Sequence, residues 1–94
     1  IEVQVDVHAG KGLPARANRN SSLVKAFKTA YEEVFSHPCS FIYSGGSIPI
    51  TVALAEASQA EMVLVGLGLE DDCIHAPNEH FGIDRLKQGA LVTA

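Results

Sequence analysis

The chemistry-bearing residues of this chain concentrate in one stretch, Gly66 to His80, where Glu70, Asp71, Asp72 and Glu79 share a loop with His75, His80, Asn78, Gly68 and Pro77. A neutral imidazole such as that of His75 can ligate a metal through one ring nitrogen while a carbonyl or carboxylate fixes the other. The five-residue offset of His75 and His80, with Pro77 between them, does not put two ligands on one helix face, so the stretch cannot close a zinc site by itself. By residue type Asp71, Asp72 and Glu79 read as turn caps facing water more often than as chemical groups, and His8, His37 and His80 as surface or structural histidines.

A second stretch, Ser44-Gly45-Gly46-Ser47-Ile48-Pro49, stands where a strand-like run gives way to a helix-like one. Glycines permit close approach to the backbone, Ser47 offers a cap and a hydroxyl donor, and Pro49 suits a first helical turn where its missing N–H is not needed. Exposed N–H groups at such a place attract anions, and a peptide carboxylate would fit. A tight strand-to-helix connection is the competing reading. No lysine follows at the spacing of a phosphate-binding loop, and the dinucleotide fingerprint is missing.

The elements that must position these residues alternate. Ile1, Val3, Val5 and Val7 interleave with Glu2, Gln4, Asp6 and His8, the period of a strand with one wet face. Ala9 to Asn20 has glycines, a proline and no apolar period, as a connection would. Leu23, Val24, Phe27, Ala30, Tyr31, Val34 and Phe35 form a helical stripe, capped by Ser21 or Ser22 and stopped at His37-Pro38. Phe41-Ile42-Tyr43 and Met62 to Gly66 read as buried strands flanking a helix from Ile48 to Ser58, and a parallel pair with a right-handed crossover is expected. A last helix from Ile83 carries Ile83, Leu86, Ala90, Leu91 and Ala94 on one face. The expected fold class is α/β, and sites in such sheets sit beyond the C-terminal ends of strands, where both stretches fall.

Composition narrows the function classes. At 94 residues there is room for one small domain at most, and the Ile1 start suggests a piece of a longer protein. Hydrophobic residues make up 47% and charged ones 19%, as in a folded protein. A net charge of -4 with seven Lys and Arg and no basic stripe argues against a nucleic-acid partner. No run approaches the ~18 to 20 apolar residues of a membrane span and no leader is recognisable, so a cytoplasmic location is expected. Cys39 and Cys73 lack metal-knuckle spacing and read as reduced thiols.

Taken in order, Gly45-Gly46-Ser47-Ile48-Pro49-Ile50 and Gly66-x-Gly-x-x-Asp71-Asp72-x-Ile74-His75-Ala76-Pro77-Asn78-Glu79 resemble the C-terminal motifs of the metallopeptidase family of carnosinase-like dipeptidases, aminoacylases and succinyl-diaminopimelate desuccinylase. The resemblance implies a fragment of a two-domain exopeptidase. Residues 1–8 would be the last strand of a lid and dimerisation domain, residues 9–19 a connection, and residues 20–94 the C-terminal β-α-β-α segment of the catalytic domain. It makes His75 a ligand of one of two divalent metals, zinc foremost or manganese. It gives Gly45, Gly46 and Ser47 to the substrate's carboxylate, with Asp72, Asn78 and Glu79 as supports. The family chemistry is hydrolysis of an amide bond in a small peptide or N-acyl amino acid, by a water bridging the metals with a glutamate as base. The parent is expected to be a homodimer.

The family's His-x-Asp, Glu-Glu pair and remaining acidic ligand are not among these residues, so no catalytic residue is assigned here and the chain alone is expected to be inert. Where some relatives have an arginine just ahead of the glycine pair, Tyr43 and Ser44 stand instead. The alternative function is a non-catalytic α/β module that binds a small carboxylate at the glycine turn.

Overall fold

Ser21 begins the longest element. Its extended backbone (φ -67°, ψ 154°) lets the hydroxyl accept the Val24 N–H at 3.2 Å, and α1 runs over Ser22–Phe35. Such a cap stabilises a helix by about 1 kcal/mol. In this computed structural model, which describes residues 1–6, 12–44 and 48–94, the other helices are α2 (Ile50–Ser58) and α3 (Ile83–Thr93), with a short 3₁₀ turn at Glu70–Asp72. No helix among the described residues is long and apolar enough to cross a membrane.

The chain forms two compact units, Ile1–Arg16 with Ile42–Ala60, and Ala17–Phe41 with Glu61–Ala94. In the second unit α1 packs on α3. The stripe expected on α1 is its packing face: Val24 is buried and Leu23, Phe27, Ala30, Tyr31, Val34 and Phe35 are half-buried. Tyr31 and Phe35, one turn apart, stack at 4.4 Å. The helix stops one residue ahead of His37, where Ser36 turns left-handed (φ 53°). The chain then folds back, and the Cys39 N–H donates to the Glu32 carboxylate, which also takes the Lys28 ammonium. Those two donors hold the Glu32 carboxyl below its ordinary pKa.

Residues 61 to 66 run beside α1. Glu61 accepts the Leu23 N–H (3.1 Å) and the Ser22 hydroxyl (3.3 Å), and the Tyr31 hydroxyl donates to the Gly66 carbonyl (3.4 Å). Leu67 then abuts α3 at Gly89, where a Cβ would run into the leucine side chain. Glycine there lets loop and helix meet.

The α/β expectation is overturned. Among the described residues there are three α-helices and no strand, so neither the lid strand at the start nor a β-α-β-α catalytic segment is present. A strand exists only through a partner's hydrogen bonds, which local alternation does not report. Ile1, Val3 and Val5 are exposed, and Val7 and His8 lie outside the described residues. The two segments expected to pair do not share a unit, since Ile42 and Tyr43 belong to the first and residues 62–66 to the second. They are not covered on both faces either: Ile42 is 85% exposed and Leu64 58%.

The later helices depart in register rather than in place. On α3 the expected stripe of Ile83, Leu86, Ala90 and Leu91 is exposed, while Gly89 and Val92 are buried with Arg85 and Gln88 half-buried beside them. On α2, Thr51 is buried, its hydroxyl bonded to the Ile48 carbonyl at 2.6 Å, whereas Ile50, Ala53, Leu54 and Ala57 are exposed. Cys39 and Cys73 are free thiols, both half-buried.

Candidate functional site

The loop from Leu67 to Gly82 takes its shape from one buried acid. Asp72 is 1% exposed, and a buried carboxylate is costly unless its oxygens are fully used. They are. Oδ1 accepts the Arg85 Nη2 at 2.5 Å, and Oδ2 accepts the Arg85 Nη1 at 2.6 Å and the Leu69 N–H at 2.8 Å. The bidentate fork is the strong form of a charge-assisted pair. The Arg85 guanidinium, followed by the Leu69 N–H, holds the Asp72 carboxyl down at about 2, and the same pairing raises Arg85.

The sign of the linkage is that of a depressed acid. The pair contributes stability above the ordinary carboxylate value near ~3.9, and the contribution is lost as pH falls through about 2. A carboxyl-detected NMR titration is expected to place the Asp72 midpoint near 2, and a midpoint at the ordinary value would mean that the fork with Arg85 is open in solution.

Above this anchor the backbone turns through three left-handed residues, Cys73 (φ 55°), His75 (φ 60°) and Asn78 (φ 65°). Asparagine tolerates that region and histidine does so less readily, so neighbouring bonds must hold the turn. The Ala76 N–H donates to the Cys73 carbonyl, and the His80 N–H donates to the Asp72 carbonyl, both at 3.0 Å. The second bond closes a neck whose tip is residues 73–79. His80 Nδ1, carrying its proton, donates to the Asn78 carbonyl at 3.0 Å.

Asp72, His75, Asn78 and Glu79 are thus brought onto one closed loop. His75 is exposed, and its imidazole makes no hydrogen bond or ion pair among the described residues. The side chains of Asn78 and Glu79 likewise point no bond into the loop, and Asn78 supports it through its backbone. Gly45, Gly46 and Ser47 lie outside the described residues. Ahead of them in sequence, Arg16 donates to the Tyr43 hydroxyl at 2.6 Å with its guanidinium 5.4 Å from the ring centroid, and after them α2 starts at Ile50.

Sequence reasoning gave Arg85 no role. The acid run Glu70-Asp71-Asp72 was the available signal, because a buried member of such a run needs a cation.

The profile of the peptidase family M20/M25/M40 matches residues 2–94. The chain belongs to this family. Among relatives, the Cys-Gly metallodipeptidase dug1 of Schizosaccharomyces pombe is 34% identical over 62 residues, which cover 66% of this chain and 13% of that protein. The aligned part is therefore a small share of the relative's length. No solved structure shows significant similarity.

For an M20/M25/M40 peptidase segment, the donor set bears directly on metal binding. Among the described residues no group of three His, Cys, Asp or Glu side chains converges as metal ligands would. The free imidazole of His75, at the exposed tip of an anchored loop, fits one ligand's share of a metal centre and no more.

Proposed function

We propose that this chain is the C-terminal part of a two-metal dipeptidase or N-acyl amino acid amidohydrolase that cleaves an amide bond next to a free carboxylate. The observation that supports the reading is the family match across residues 2–94, within which both motifs fall in order, together with the metallodipeptidase relative. In this reading residues 1–8 belong to the lid and dimerisation domain, residues 9–19 connect, and residues 20–94 belong to the catalytic domain. His75 gives one imidazole to one of two zinc ions, or manganese, and Gly45, Gly46 and Ser47 receive the substrate's carboxylate. Asp72 anchors the loop, and Asn78 and Glu79 line it. The metals, when bound, supply Lewis acidity and a water acidic enough to attack at neutral pH. The base and the other ligands come from outside these residues. The parent works on small peptides in the cytoplasm, as a homodimer.

The intact protein supplied with zinc or manganese is expected to hydrolyse Cys-Gly or a similar dipeptide and to lose that activity to a chelator. The isolated chain is expected to do neither hydrolysis nor tight zinc binding, because one histidine and scattered carboxylates do not make four ligands. Calorimetry on the monomeric chain checks the second point, and a sub-micromolar zinc affinity there would refute the one-ligand assignment. An intact protein inert toward dipeptides and N-acyl amino acids with either metal would refute the enzyme itself.

A further inference from the structure

One guanidinium gathers the whole His75 loop. Arg85 Nη1 donates to the Leu67 carbonyl (2.9 Å) at the loop's entry, both terminal nitrogens bind Asp72 midway, and the guanidinium carbon sits 4.5 Å from the centroid of Phe81 at the exit. Arg85 is carried on the face of α3 that also bears the buried Gly89 and Val92, and α3 packs on α1. The tip has no such support. Its residues are exposed or half-buried, and its bonds, Ala76 to Cys73 and His80 to Asp72, are local. The position of the His75 ring relative to the helices is therefore set through Asp72 and Arg85.

We infer that Arg85 is a positioning residue for His75: by clamping Leu67, Asp72 and Phe81 together it fixes the neck from which the imidazole projects, and so sets how tightly the metal at that imidazole is held. The inference rests on the reading of His75 as a ligand. A planar fork makes these bonds at once, whereas the point charge of a lysine cannot, so Lys is not an equivalent here. Partners that bond a metal ligand directly change metal affinity by roughly 10- to 100-fold when removed, and Arg85, which holds the loop and not the ring, is measured against that scale.

The test uses the intact peptidase with Arg85→Lys, which keeps a cation beside the buried carboxylate. Three quantities are read: the dissociation constant of the weaker metal by chelator competition, amide exchange at Ala76 and His80, and thermal stability. Expected are a metal dissociation constant raised roughly 10- to 100-fold, faster exchange at both amides, and activity regained in excess metal. A lowered melting temperature with metal affinity and exchange at wild-type values would overturn the inference, since it would show a stabilising role only. Should Arg85→Lys fail to fold, the double change Asp72→Asn with Arg85→Gln removes both charges together, with the same expected and overturning outcomes. His75→Ala serves as the control for the underlying reading. If it leaves both metals in place while Arg85→Lys still quickens exchange at Ala76 and His80, the ligand assignment fails and the clamp stands; unchanged exchange removes the clamp whatever His75 does.

Discussion

His75→Ala in the intact peptidase is expected to remove nearly all turnover and to leave one of the two metals weakly held. Loss of an imidazole nitrogen under-coordinates that ion, and a metal's stabilisation of developing charge is worth several kcal/mol. At about 1.4 kcal/mol per factor of ten, the drop is on the order of 10³-fold or more in kcat. The fold should be little affected, because the ring is exposed and bonds to nothing among the described residues, although alanine inherits the left-handed φ of 60°. Metal content after dialysis, set beside the kinetics, separates the causes. Full activity with both metals retained would show that another residue is the ligand.

Gly46→Val is expected to be nearly as damaging for a different reason. If Gly45, Gly46 and Ser47 receive the substrate's carboxylate as proposed, a branched side chain at Gly46 blocks its approach, whereas Ser47→Ala removes one donor only. For Ser47→Ala a hydrogen bond to a charged group is lost, about 1.5 to 3 kcal/mol, or roughly 10- to 150-fold in kcat/KM. The penalty should follow the substrate's charge. Against a C-terminally amidated dipeptide, which the wild type already handles poorly, the Ser47→Ala penalty should largely vanish. Equal penalties on free-acid and amidated substrates would mean that Ser47 serves the fold and that the turn does not read the carboxylate.

How much of this was legible before the structure differs from element to element. The stripe from Leu23 to Phe35 and the cap at Ser21 depend on neighbours within a turn or two, so α1 was readable nearly to the residue. The apolar runs at Phe41 to Tyr43 and Met62 to Gly66 were readable as apolar but not as unpaired, since a sheet is made by distant partners that no local pattern names. The same limit explains α3. Its greasiest side reads as the packing face by composition, yet the residues it buries are Gly89 and Val92, with Arg85 beside them, where close approach to Leu67 and an ion pair to Asp72 outweigh hydrophobic count. Of the candidate site, His75 and the acid run stood out by residue type. Which acid was buried, and that its partner lay thirteen residues on in α3, are facts of tertiary placement.

The neck between Asp72 and His80 also bears on how such a loop can change over time. Apart from the Ala76–Cys73 bond, what locates it lies below the tip or at its base: the contacts of Arg85 with Leu67, Asp72 and Phe81, the Leu69 N–H and the backbone bond from His80. Residues such as Ala76, Pro77 and Glu79 stand above that base with exposed side chains. Exchange at those positions would alter the size and charge of what surrounds the imidazole while leaving its mounting untouched. The loop is thus a cassette on a fixed frame, whose exposed tip can vary by single substitutions at little risk to the fold.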